Sequence, residues 1–228
     1  MSRWLRPLAL LVALVGLLVL AVSGPGVRFN LFAYGTGLTL FRACAYVGLA
    51  AMVLAAVALA IPASRRYGVM MPIVALVLGA LAFGVPFQFQ QTAQSVPRIN
   101  DITTDTANPP KYMTTVRQYP GEDFARLQRA AYPDIAPVAL RMPPRDAYER
   151  ALKAAESMGW EVVGRDAAAG TLEAVDTTKW FGFKDDIAVR VSAAEGGSRV
   201  DVRSKSRVGR GDIGTNARRI RAYIERLK

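Results

Sequence analysis

Three stretches of this chain are too long and too apolar to form the surface of a water-soluble fold. Leu5 to Val22 is almost wholly apolar and follows Arg3, Trp4 and Arg6. Ala43 to Ile61 is a run of 19 residues without a charge, and Val69 to Phe87 is a third such run. A hydrocarbon layer about 30 Å thick needs about 20 apolar residues in helical form. Within it a lone segment must be helical, because only a helix satisfies every backbone amide from inside the segment. The spacing therefore predicts a three-helix transmembrane region over residues 1–90, with spans at about 5–22, 43–61 and 69–87. For the first span the rival reading is a cleaved signal peptide, with Ala21-Val22-Ser23 as a cleavage-like site. The length of the run and the two spans that follow favour a retained helix. Gly48, Ala51, Ala55, Ala56 and Ala60 suit close helix packing in lipid. Pro72 stands in the first turn of the third span, where a missing N–H costs little.

Flanking arginines set the expected orientation. Arg3, Arg6, Arg65 and Arg66 lie on one side, and Arg28, Arg42 and the more distant Arg98 on the other. The first set prevails, so the N-terminus is expected in the cytoplasm and everything after Phe89 outside it. The formal charge of +11 is uneven: residues 1–90 hold six Arg and no acid, 91–198 hold 13 basic and 15 acidic residues, and 199–228 hold 10 basic and 3 acidic. Nucleic acid is not an expected partner, because no aromatic residues interleave with the basic end to stack on bases. The chain has no histidine, the usual neutral-pH acid and base, and its single cysteine, Cys44, lies in an apolar run. Thiolate metal sites and disulfides within the chain are thereby excluded.

After the spans, Gln88 to Ser95 reads as a polar connector, and residues 91–120 as a linker with an extended segment at Arg98 to Asp105. Residues 121–228 read as a soluble α+β domain. Glu122 to Ala131 is a short helix, Pro137 to Met142 a short strand, and Pro144 to Met158 a helix with the stripe Tyr148, Ala151, Leu152 and Ala155. Trp160 to Gly164 and Thr171 to Thr178 are strands. From Ile187 the apolar residues alternate through Val189, Val191 and Ala193, and a loop at Glu195 to Ser198 leads to a strand that alternates more strictly. There Val200, Val202, Ser204 and Ser206 share one face, while Arg199, Asp201, Arg203, Lys205 and Arg207 share the other. The charged face is assigned to the open side of the sheet, because an unpaired buried charge is too costly. Gly209-Arg210-Gly211-Asp212-Ile213-Gly214 matches the glycine pattern of dinucleotide sites, but no parallel strand with its acidic residue follows it in this sequence. It reads instead as a tight turn with Asp212 as N-cap of a last helix bearing Ile213, Ala217, Ile220, Ile224 and Leu227 inward.

Short hairpin links make the strands an antiparallel meander. The expected architecture is three N-terminal transmembrane α-helices followed by an α+β domain, an antiparallel four- to five-stranded sheet with two helices on one face. The element order is similar to that of two-layer domains of the TATA-binding-protein type, which implies nothing about DNA binding.

K-D-D-I-A-V-R-V at Lys184 to Val191, and V-D-V-R-S-K-S-R-V-G-R-G-D-I-G-T-N-A-R-R-I at Val200 to Ile220, resemble the bacterial family called domain of unknown function 1499. So does P-R-I-N-D-I-T-T-D-T at Pro97 to Thr106, so that the resemblance covers roughly residues 97–228. The family pattern often has a histidine where this chain has Asn100, so no imidazole role carries over there. The resemblance implies a bacterial protein, and for some members a membrane segment ahead of the domain. It implies no activity.

Two constellations remain. Asp185 and Asp186 are adjacent and point to opposite faces of a strand, so they do not form a carboxylate pair. A divalent cation would need Asp186 together with Asp101 or Asp105; the plain alternative pairs Asp186 with an arginine of the ladder. Ser204, Ser206, Thr215 and Asn216 are candidates to ring an anion at the start of the last helix, or else to satisfy the glycine turn. With no histidine, and Lys205 on the opposite face, no catalytic residue is assigned to either serine. Arg190, Arg199, Arg203, Lys205 and Arg207 form the candidate basic surface for an anionic lipid, an envelope polyanion or an acidic protein partner.

The reading is a membrane-anchored, non-enzymatic binding or scaffold protein of the bacterial inner membrane with its C-terminal domain periplasmic and no cofactor. The alternative is an enzyme with a carboxylate-bound metal acting on an envelope substrate.

Overall fold

The computed structural model describes residues 2–228. The chain forms two compact units: Met1–Thr92 with Lys179–Gly182, and Ala93–Thr178 with Phe183–Lys228.

The first unit is helical: α1 (Ser2–Arg28), α2 (Tyr34–Ala60), the single turn α3 (Pro62–Arg65) and most of α4 (Met70–Ser95). Three of these helices are long and apolar enough to cross a membrane, over Arg3–Arg28, Tyr34–Ala60 and Met70–Ser95. Each outruns its apolar stretch. α2 begins a little over two turns before Ala43 and takes in Arg42, and α4 absorbs Gln88–Ser95, which the sequence reading made a connector. A polar extension costs a helix nothing once its backbone is already hydrogen-bonded, so the apolar window marks the lipid-facing part and not the helix ends. Small residues pack the interior. Ala51, Ala55, Ala75, Ala9 and Ala13 are fully enclosed, whereas Ala56 and Ala60 face outward. A Cβ at Gly48 would come within 2.6 Å of the Gly79 carbonyl oxygen, so α2 and α4 approach at a distance that only glycine permits.

The second unit is a two-layer α+β domain. Its elements are β1 (Asp101–Thr103), α5 (Glu122–Ala131), β2 (Val138–Leu140), α6 (Pro144–Ser157), β3 (Glu161–Asp166), β4 (Thr171–Thr177), β5 (Lys184–Ala194), β6 (Gly197–Ser206) and α7 (Thr215–Leu227). The strands β3 to β6 form the antiparallel meander, and the sheet order is β1-β6-β5-β4-β3. The sheet has six strands because two short segments share the outer edge of β6. β1 pairs Asp101 with Lys205 and Thr103 with Arg203, and β2 pairs Val138 with Val200 and Leu140 with Ser198.

Strand alternation divides the sheet into two unlike faces. One presents Leu172, Ala174, Ile187, Val189, Val191, Val200 and Val202 to α6 and α7. Those helices meet it with Ala147, Ala151, Ala155, Ala217, Ile220, Tyr223 and Leu227. Alanines on α6 let it lie close to the strands, and Trp160 and Tyr223 stack with centroids 5.0 Å apart to fill the space between. The buried Tyr223 hydroxyl donates to the Ala151 carbonyl at 2.9 Å, which satisfies that polar atom within the apolar layer. Each fully buried Ile, Val or Leu here contributes about 1.5–3 kcal/mol.

The last helix begins at Thr215, so Ile213 lies in the turn before it, with φ +56°. That conformation is a genuine outlier for a β-branched residue. It is held by Asp212, whose carboxylate accepts hydrogen bonds from the backbone N–H of Gly214 at 2.9 Å and of Asn216 at 2.7 Å. Asp212 thus caps the helix from two residues before the left-handed Gly214.

Candidate functional site

The second face of the sheet carries the charged ladder, and it is covered. The segment from Thr104 to Tyr119, between β1 and α5, lies across it as a strap. Asp101 is fully buried and accepts two hydrogen bonds from Arg203, through Nε and Nη2, each 2.8 Å, and one from Lys205 Nζ at 2.9 Å. Arg203 is 2% exposed. Its remaining N–H groups donate to the carbonyls of Pro110 and Arg117, and the Tyr112 and Tyr119 rings lie 4.9 and 5.5 Å from its Cζ. Farther along, Asp201 and Asp105 are bridged by Arg190 and Arg199, with Arg190 2.9 Å from Asp201 and Arg199 2.8 Å from Asp105. At the other end Asp186 holds Arg207 at 2.7 Å and Arg117 at 2.9 Å. Glu173, also buried, clamps the strap itself by accepting from the Met113 and Thr114 N–H groups and from the Thr114 hydroxyl.

This corrects the assignment of the ladder to an open face. The premise that an unpaired buried charge is too costly holds. Apart from Asp201 on β6 itself, however, the acids that pair these arginines come from β1, β5 and the strap, up to 102 residues away in sequence, so a local count of charges along β6 misses most of them. Burial works against the Arg203 charge, but the two-pronged Asp101 contact outweighs it and holds the guanidinium proton more firmly than usual. Burial, and then the Asp101 charge, push the Tyr119 phenol up to about 12 and Tyr112 higher still. Both rings therefore stay neutral and serve as covers for Arg203.

The three carboxylates considered for a cation are all engaged: Asp101 by Arg203 and Lys205, Asp105 by Arg190 and Arg199, and Asp186 by Arg207 and Arg117. Among the described residues no three His, Cys, Asp or Glu side chains gather closely enough to hold a metal ion.

On the helix face, Ser204, Ser206 and Asn216 are brought together, but they close on one another. Ser204 Oγ donates to Asn216 Oδ1 at 2.7 Å, and Asn216 Nδ2 donates to Ser206 Oγ at 3.0 Å and to the Asn100 carbonyl at 3.1 Å. Arg219 completes the cluster, donating to Ser204 at 3.0 Å, to Asp185 at 2.6 Å and to Asp176 at 2.7 Å. Thr215 stands apart, its hydroxyl accepting from Arg218 at 3.1 Å. The N–H groups at the helix start are taken by Asp212, whose carboxyl burial pushes up despite those backbone donors. The arrangement has no nucleophile beside a base; it is a set of internal clasps. Sequence reasoning missed Arg219, Glu173 and Arg117. For Arg219 a signal existed, since Asn216, Arg219, Ile220 and Tyr223 share one side of a helix by three- and four-residue steps. For Arg117 none existed, because the strap has no periodicity; for Glu173 the alternation of β4 set it on the face opposite Leu172 and Ala174, but nothing local showed that the strap covers that face.

One group of the domain's free cations lies around the β6–α7 turn; others, among them Lys111, Arg141, Arg145 and Lys153, are exposed elsewhere. Arg98, Lys184 and Arg210 are exposed, and none makes an ion pair among the described residues; Arg207, 38% exposed at its side chain, is the outermost rung of the ladder. Arg207 N–H donates to the Lys184 carbonyl at 3.0 Å, Asp212 N–H to Ile99 at 3.2 Å, and the Asn100 amide to Gly209 at 2.6 Å. The turn is therefore pinned to the segment directly after α4. A Cβ on Gly211 would lie 3.3 Å from Arg98 Cα.

No curated protein matches this chain. Residues 101–227 match the model of the protein family of unknown function DUF1499, and the chain belongs to that family.

Proposed function

We propose that this is a membrane-anchored, non-enzymatic binding or scaffold module of the bacterial envelope, whose β6–α7 turn engages the anionic headgroups of its own bilayer. The observation that carries the reading is the cluster of Arg98, Lys184, Arg207 and Arg210 on a turn tied to the residues that follow the third span. Gln88–Ser95 continues α4 as helix beyond its apolar part. Eight helical residues add about 12 Å of rise, comparable to the headgroup layer plus one Debye length of about 8 Å. A basic residue near an anionic surface contributes about 1 kcal/mol, and covalent tethering keeps even weak contacts populated. Arg203 and Lys205, by contrast, are committed to Asp101 and withdraw from the candidate surface.

The test uses residues 93–228 as a soluble fragment, after its cooperative unfolding has been recorded. It should sediment with phosphatidylglycerol vesicles and not with phosphatidylcholine vesicles. The pair Lys184→Glu and Arg210→Glu should abolish binding, with stability changed by no more than about 0.5 kcal/mol, and added salt should weaken the unmodified domain. Binding that survives both charge reversal and high salt would overturn the reading and point to a shaped protein partner.

A further inference from the structure

Within the helical unit lies a second basic site with different features. Met1–Thr92 contains six arginines and no acid, and the first carboxylate of the chain is Asp101. Four of the six gather at one end by topology: Arg3 and Arg6 at the start of α1, and Arg65 and Arg66 at the α2–α4 junction, where α3 packs on α1 and α2. Arg6 reaches across that junction. Gly68, at φ +101°, sits so that a Cβ would meet Arg6 Nη2 at 3.4 Å. Arg6 Nε is enclosed and has no hydrogen-bond partner among the described residues. Ser64, on α3, is fully buried, and its hydroxyl is likewise without a partner. A buried hydroxyl and a buried guanidinium N–H left unpaired in one junction are costly, and most such groups in native proteins are satisfied.

We propose that this junction binds the phosphate of an anionic glycerophospholipid, held by Arg6 and the Ser64 hydroxyl with Arg65 and Arg66 around it. The chemistry selects the ligand. Unpaired guanidinium and hydroxyl donors in one junction without any protein acid call for an oxyanion with several acceptor oxygens, and arginine is suited to phosphate in this role. A water would satisfy Ser64 but would leave the charge of four arginines uncompensated. The flanks call for acyl chains: the outer surfaces of α1, α2 and α4 expose Leu8, Leu11, Val57, Met70 and Met71, and Trp4 and Tyr67, close in sequence to these arginines, are exposed aromatic residues of the kind that border headgroups. Arg3 lies over the Trp4 ring at 5.3 Å, which keeps one cation at that border. The junction lies wholly within the helical unit, so the present site does not rest on the reading of the turn.

The experiment uses the full chain, purified in detergent, with lipid retention read by native mass spectrometry. Phosphatidylglycerol should be retained about tenfold over phosphatidylcholine of the same acyl chains. Arg6→Gln should cut that preference at least fivefold and Ser64→Ala two- to fivefold, while Arg42→Gln, in the opposite half of α2, leaves it unchanged. Millimolar inorganic phosphate should not displace the lipid. A preference of one in the unmodified protein would overturn the proposal. So would retention unaffected by both Arg6→Gln and Ser64→Ala, which would leave the arginines only an orienting role, and so would full displacement by inorganic phosphate, which would mark a site for the free anion. If Arg6→Gln fails to yield folded protein, Ser64→Ala alone decides, since losing one hydroxyl leaves all four charges in place.

Discussion

Replacing Asp101 by Asn tests whether the charged ladder is a buried clasp or an open basic face. The carboxylate is fully buried and receives three charge-assisted hydrogen bonds, two from Arg203 and one from Lys205. An asparagine of nearly the same volume keeps one acceptor and turns an N–H₂ group towards cationic donors, so Arg203 is left buried without its counter-charge. Breaking a buried pair from one side costs about 3–5 kcal/mol. Against a total stability of about 5–15 kcal/mol, that lowers the melting temperature by roughly 10–20 °C for a domain of this size. Urea unfolding of residues 93–228 followed by circular dichroism measures it. Arg203→Met should fall at the lower end of the range, because Asp101 retains Lys205, whose side chain is 17% exposed. The double variant Asp101→Leu with Arg203→Met should be less destabilised than the sum of the singles, with a coupling of about 1–3 kcal/mol. An Asp101→Asn domain within about 0.5 kcal/mol of the parent, or strict additivity, would refute the reasoning and return the arginines to solvent.

Three further outcomes are expected. Asp212→Ala should cost about 0.5–2 kcal/mol, and Asp212→Asn should retain most of the stability. Because burial raises the folded-state pKa of Asp212, the folded state binds its proton more tightly, so this group's contribution declines as pH rises from the ordinary carboxylate range through the raised value; melting curves between pH 3.5 and 7 should show the parent losing ground to Asp212→Asn, and the opposite slope would contradict the assignment. Glu173→Ala removes the acceptor for two strap N–H groups and one hydroxyl, costs about 1–3 kcal/mol, and should open the strap around Met113–Arg117 to limited proteolysis before the domain as a whole unfolds. Alkaline phosphatase fused after Lys228 should be active in cells, as the Arg3, Arg6, Arg65 and Arg66 side implies, and an inactive fusion at normal expression would reverse the topology.

Periodicity is a local property, and elements that depend on it were legible. The three apolar runs located the three long apolar helices, because a run of that length and composition admits few other solutions. Ile187, Val189, Val191, Val200 and Val202 located the inner face of the β5–β6 hairpin, since a period of two has one reading where one face is buried. Glu122–Ala131 and Pro144–Ser157 followed from their stripes and their terminal residues. Boundaries governed by neither burial nor a stop signal drifted. Gln88–Ser95 is helical because α4 simply continues, and Ile213 left the last helix because Asp212 takes the first N–H groups two residues later.

What the amino-acid order determined alone is therefore the presence in residues 1–95 of three helices long and apolar enough to cross a membrane, the meander, the two cover helices and the segregation of charge to one side of β6. Each follows from residues within a few positions of one another. What only the tertiary structure decided is the state of those charges. Arg203 is neutralised by an aspartate 102 positions away and roofed by two tyrosines from a segment without periodicity. Ser204, Ser206 and Asn216 could be read from sequence either as an anion ring or as internal partners of the glycine turn, and Arg219 and Asp185 close the cluster from within. Electrostatic pairing depends on distances of a few ångströms between residues that the chain order leaves far apart, so the difference between an exposed basic face and a buried clasp exists only once the strap is laid over the sheet.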